Sequence, residues 1–199
     1  MPPRRHRSRR ALAAAVAAAV ALAGCGSSSD DERDLDSPSA SLEVKIESLQ
    51  RAVTAAPTDP EPLAELAKTR FQAAGLMRNS TGMYTEDGLR ELRRATEAWD
   101  RYVALDPERL DTGVAQLIAA AYGPGSLEEP KKAVEIQQLV ADNTRPPSAG
   151  PYAQLAQMAY YAGERATARR AAARAIELTP RAARDAMRKA LAAASDQQP

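Results

Sequence analysis

Pro57, Pro107, Pro146 and Pro180 each close a run dominated by alanine, leucine, glutamate and arginine, and they stand 50, 39 and 34 residues apart. Proline cannot continue a helix, because it lacks an N–H and its ring clashes with the preceding turn. Alanine, leucine, glutamate and arginine are strong helix formers. β-Branched residues are sparse after Ser41, and no convincing strand is found beyond that point. The chain is therefore expected to be all-α, built from helical units that repeat between the prolines.

The last unit is the clearest: Tyr152, Leu155, Ala156, Gly163, Ala168, Ala172, Ala175, Ile176, Leu178 and Pro180. Small residues at Ala156, Ala168 and Ala175 let two helices approach closely, with Leu155 and Ile176 filling the space between them. Gly163 can take a positive φ at a helix C-terminus. This spacing resembles the tetratricopeptide repeat (TPR), although Ala159 and Ala172 stand where that family usually has a tyrosine and a larger residue. The resemblance implies a short α-solenoid of antiparallel helix pairs.

The same grammar recurs more loosely upstream. Leu49, Ala52, Val53 and Pro57 read as the end of a half repeat over 41–57. Leu66, Ala67 and Gly75, then Leu92, Ala95, Trp99, Tyr102 and Val103, make a unit over about 61–107. Ile118, Ala119 and Tyr122, then Ala133, Ile136 and Val140, make another over 108–146, and the clearest unit spans 148–180. The first full unit carries an insertion, Leu76 to Gly88, with turn-forming Asn79-Ser80-Thr81-Gly82 and Asp87-Gly88. A loop of that length inside a repeat is more often functional or disordered than idle. Residues 181–195 are expected to form a capping helix, with Ala183, Ala186, Met187, Ala190 and Leu191 inward and Arg184, Arg188 and Lys189 outward.

The N-terminus carries a different message. Arg4, Arg5, Arg7, Arg9 and Arg10 precede thirteen apolar residues, Ala11 to Ala23, which is the layout of an export signal. That stretch is too short to cross a ~30 Å hydrocarbon core as a helix. Leu22-Ala23-Gly24-Cys25 closes it and resembles the lipobox of bacterial lipoproteins. The resemblance implies removal of residues 1–24, lipidation of the Cys25 thiol, and stable attachment, since more than one acyl chain is then present. Gly26 follows the cysteine, so the aspartate that commonly retains such proteins at an inner membrane is missing. The expected location is the extracytoplasmic face of the cell membrane, or of the outer membrane in a two-membrane cell.

Residues 25–40 are small, polar and acidic, and are expected to be a flexible tether. Such a chain averages about 20–25 Å end to end and reaches roughly 50 Å when stretched. Its acids lack the glycine turn and distal glutamate of an EF-hand. Cleavage would leave 22 basic against 26 acidic residues, so no basic surplus argues for nucleic acid. It would also remove His6, the single histidine, while Cys25 is the single cysteine. Ser-His-Asp and Cys-His catalysis, His or Cys zinc sites and intrachain disulfides are then excluded. No metal or cofactor is implied, and no enzyme is expected.

TPR arrays bind peptides or protein segments along the face lined by the first helix of each pair. Transferring those positions points to Lys68, Phe71 and Gln72, then Gln116 and Ala120, then Gln157, Tyr160 and Tyr161. Aromatics supply contact area at low entropic cost, and amides pair with a peptide backbone. Packing between helices is the alternative role for Tyr160 and Tyr161. The clamp that some TPR domains use on a C-terminal carboxylate does not match, because Ala64, Gln116 and Ala153 occupy one set of its positions. The function implied is an envelope scaffold, tethered by lipid and holding another envelope protein or a peptide segment. Two readings stay open beside it: a binding protein for a solute or glycan fragment, and a carboxylate-dependent cell-wall enzyme.

Overall fold

The computed structural model describes residues 38–196. The expected leader, the lipobox with Cys25, and the tether up to residue 37 lie outside the described residues. Within them the chain is all-α. Helices α1 (Pro38–Ala55), α2 (Pro60–Leu76), α3 (Glu86–Ala104), α4 (Thr112–Ala121), α5 (Pro130–Asn143), α6 (Ala149–Tyr161) and α7 (Arg165–Leu178) follow one another. A 3-10 turn, Arg181–Ala183, then leads into α8 (Arg184–Asp196). The one β feature among the described residues is an isolated bridge between Arg78 and Tyr84. No helix there is long and apolar enough to cross a membrane.

Local chemistry sets the helix ends. Asp59, Thr85 and Asp111 accept N-terminal N–H bonds from Glu61, Gly88, and Gly113 with Val114, respectively. Such caps satisfy donors that have no partner within the helix. Proline stands in the first turn of α2 and of α5, where its missing N–H costs nothing. Gly163 takes φ +74° between α6 and α7, the left-handed geometry expected of it. After α3, Asp106 takes φ 49° ahead of Pro107, and a short acidic side chain tolerates that region better than most.

Two boundaries differ from the sequence reading. The tether ends earlier than residue 40: Pro38, Ser39 and Ala40 form the start of α1, because proline's fixed φ suits a first helical turn. Asp87-Gly88 belongs to the start of α3, not to a loop. Gly88 is buried there for closeness, since a Cβ on it would lie 2.7 Å from the Met77 carbonyl oxygen.

Consecutive helices pack side by side, and α2 also meets α4 while α6 meets α8. Two apolar clusters result. The larger draws on α1 to α5 around Trp99, Leu63, Ile118 and Val140, with the Trp99 and Tyr102 rings 5.1 Å apart. Tyr102 also ties down the α3–α4 turn: its hydroxyl donates to the Arg109 carbonyl at 3.1 Å and accepts from the Asp111 N–H at 2.8 Å. The second cluster is mostly alanine (Ala156, Ala159, Ala168, Ala171 and Ala175) around Leu155 and Leu191.

Helix α5 forms the wall between the clusters. Ala133 and Val140 face the first, and Val134 and Ala141 face the second. Beside them buried Gln137 donates to the Pro151 carbonyl at 3.1 Å, joining α5 to α6. Helices α4 and α6 make no backbone contact, although the Met158 side chain packs against both clusters.

The C-terminal helix covers less than its pattern suggested. Leu191 is buried and Met187 half-buried, but Ala183, Ala186 and Ala190 are exposed. Only α6 and α7 flank this helix, so its buried stripe is narrow. Arg184, expected outside, folds back and donates to the Thr179 carbonyl at 3.0 Å and the Glu177 carbonyl at 3.2 Å. These bonds fasten α8 to the end of α7, where two carbonyls would otherwise lack partners.

Candidate functional site

The expected binding residues divide into two groups. Lys68, Phe71 and Gln72 lie on α2, beside Gln116 and Ala120 on α4. Gln157, Tyr160 and Tyr161 lie on α6. Contact between α2 and α4 joins the members of the first group, whereas α4 and α6 do not touch through their backbones.

Within the first group the side chains have different fates. Half-buried Lys68 sits 3.3 Å from Glu65 Oε1, an oxygen that Lys45 also approaches at 3.7 Å. Phe71 is half-buried and packs against two apolar clusters, so much of its ring belongs to the core. Gln72, Gln116 and Ala120 are exposed.

In the second group Tyr160 is half-buried against the alanine-rich cluster, while Tyr161 is 48% exposed. Tyr161 and exposed Gln157 share a shallow cleft of about 330 Å³ with Ala190, Ala193 and Ala194 of α8. Ala190, expected to be buried, thus forms with Ala193 and Ala194 an apolar rim beside an aromatic ring. An edge of small side chains admits close approach by another chain, and a partly exposed tyrosine offers both a ring and a hydroxyl.

The insertion is a compact, built loop over residues 77–85. Asn79 Oδ1 accepts from the Thr81 N–H at 3.0 Å, the Thr81 hydroxyl at 2.7 Å and the Met83 N–H at 3.0 Å. Arg78 lies 3.7 Å above the Tyr84 ring and donates to the Gly82 carbonyl at 2.6 Å. Gly82 supplies the positive φ, +81°, that the tip requires. With Asn79 Oδ1, Thr81 and Arg78 bonded locally, the loop presents Met83, 50% exposed. Leu76 just before it is 54% exposed.

Perturbed titration is concentrated elsewhere, between α3 and α5. Burial raises the Asp100 carboxyl above its ordinary value, with Lys132 opposing the shift. Burial likewise raises the Tyr122 hydroxyl, against a hydrogen bond from Thr96. Lys132 lies 2.7 Å from Glu129 and 5.2 Å from the centre of the Tyr122 ring. Tyr122, at the end of α4, is thus coupled electrostatically to Asp100 on α3 and Lys132 on α5. Among the described residues no group of three or more His, Cys, Asp or Glu side chains could hold a metal ion.

Sequence reasoning missed a cleft of about 520 Å³ between α1 and α3, lined by Arg70, Arg94 and Arg101 among others. A signal was available. Arg70 stands seven residues after Leu63, where the apolar period of α2 calls for another hydrophobic residue.

No model of a known protein family matches the chain, and no curated protein matches it.

Proposed function

We propose that the chain is a lipid-anchored, extracytoplasmic scaffold of the TPR-like class. On this reading its antiparallel helix pairs form a short solenoid capped by α8. Cys25 carries the anchor, and the domain holds another envelope protein or a peptide segment at the membrane surface. The observation that carries the reading is the Tyr161–Gln157 cleft beside α8, where an aromatic ring and an amide remain open. Met83, held at the tip of a rigid loop, offers a second apolar contact point. Contact of α2 with α4, and of α6 with α8, supports repeat-like stacking of first helices, with a break between α4 and α6. The positive φ at Gly163 and the break at Pro180 support the same grammar.

The test is photo-crosslinking in living cells, with a photoreactive residue at Tyr161, at Met83, or at Arg188 as a control on the far side of α8. A discrete protein adduct from Tyr161 or Met83, absent from Arg188, is expected. Lack of any protein adduct from both sites would overturn the scaffold reading.

A further inference from the structure

Arg70 is a cation in an apolar register. Its side chain is 8% exposed, and Nη1 donates to Glu91 Oε2 at 2.6 Å. A guanidinium carries five N–H donors, and this is the one hydrogen bond that the Arg70 side chain makes among the described residues. The other donors are not sealed in, because the single buried side-chain polar atom without a partner among the described residues is Glu65 Oε2. They open into the cleft between α1 and α3.

The rest of the cleft suits an anion. Arg94 and Arg101 lie on α3 seven residues apart, two turns or about 10 Å along the helix. Glu91 Oε1 holds the Arg94 guanidinium at 2.6 Å, so one carboxylate positions two arginines. Arg101 and the Gln50 amide have no partner among the described residues. Glu97 on the rim and Glu91 beneath leave three arginines a surplus of one positive charge. That surplus matches a single carboxylate better than a phosphate dianion. Val53 and Leu66 supply apolar wall, and Gln50 can pair with a peptide backbone.

We propose that this cleft binds a carboxylate of an acidic peptide segment, Arg70 and Arg101 gripping the anion while Gln50 holds the adjoining backbone. The proposal rests on the scaffold reading and adds to it the chemistry of the partner. It places that contact away from the face expected to bind peptide.

Fluorescence anisotropy of labelled hexaglutamate with the purified full chain tests it, using Arg101→Glu, Arg101→Gln and a control, Arg169→Glu, on α7. Arg101 forms no ion pair among the described residues, so its variants are expected to melt as the native chain does. Losing a charge-assisted contact weakens binding by about tenfold or more for Arg101→Glu, less for Arg101→Gln, and not for Arg169→Glu. Acetate is expected to displace the peptide more effectively than inorganic phosphate at equal concentration. Binding unaffected by Arg101→Glu, or lost equally with Arg169→Glu, would overturn the proposal. So would displacement by phosphate ahead of acetate. A cellular adduct at Tyr161 without hexaglutamate binding would defeat the cleft alone, whereas lack of adducts at Tyr161 and Met83 would defeat the scaffold reading itself.

Discussion

Glu91→Leu offers the sharpest test of how the α2–α3 contact is held. Glu91 lies 2.6 Å from both Arg70 and Arg94, but the two arginines differ in setting: their side chains are 8% and 55% exposed. Leucine matches glutamate in helix propensity and approximates its volume, so the substitution acts mainly by stranding the Arg70 guanidinium. Removing one partner of a buried ion pair costs about 3–5 kcal/mol. Water in the neighbouring cleft sets the expectation at the lower end, about 3 kcal/mol, and exposed Arg94 adds about 0–1 kcal/mol. For a domain of this size that lowers Tm by roughly 6–12 °C. Arg70→Met should cost only about 1 kcal/mol, because Glu91 keeps Arg94. The double variant, apolar on both sides, should return to within about 1 kcal/mol of the native chain. Urea unfolding followed by far-UV circular dichroism, with an unchanged m value, reads all three. A loss below about 1 kcal/mol for Glu91→Leu, or a double variant no better than that single one, would refute the reasoning.

Other substitutions probe separate features. Gly88→Ala should destabilise by about 1–3 kcal/mol, because its Cβ meets the Met77 carbonyl oxygen at 2.7 Å; Gly75→Ala, with open space around it, should stabilise by up to about 1 kcal/mol in the same unfolding assay. Leu155→Ala removes one of the few large side chains in the alanine-rich cluster and should cost about 2–5 kcal/mol. Native-state hydrogen exchange should show α6 to α8 opening at lower free energy than α2 and α3. Because burial raises the Tyr122 hydroxyl above 10.0, the unfolded chain releases that proton first as pH rises; stability should fall above about pH 10, and Tyr122→Phe should lessen the fall between pH 9 and 11.

Much of the fold was legible because its punctuation is local. Proline stops, the Gly163 turn and the alanine spacing act within a few residues, so the all-helical character of the described residues could be read from them. What the sequence concealed depends on partners distant along the chain. Arg70 looks like an error in the apolar period until Glu91, 21 residues on, is seen to neutralise it. Gly88 resembles a turn glycine, yet its role is to admit the Met77 carbonyl. Tyr160 and Tyr161 are adjacent and chemically alike, and only packing against the second cluster decides which one remains open. The alanines of α8 carried a helix-face pattern, but the number of neighbouring helices determines how much of that face is covered.

The central claim is that a tethered helical stack holds a protein partner at the membrane. Comparing the Tyr161 photo-crosslink in cells producing the native chain with cells producing Cys25→Ala tests it most directly. The account predicts a discrete adduct in the membrane fraction of the first and its loss in the second at equal protein abundance. An adduct indifferent to Cys25, or no protein adduct in either, would contradict it.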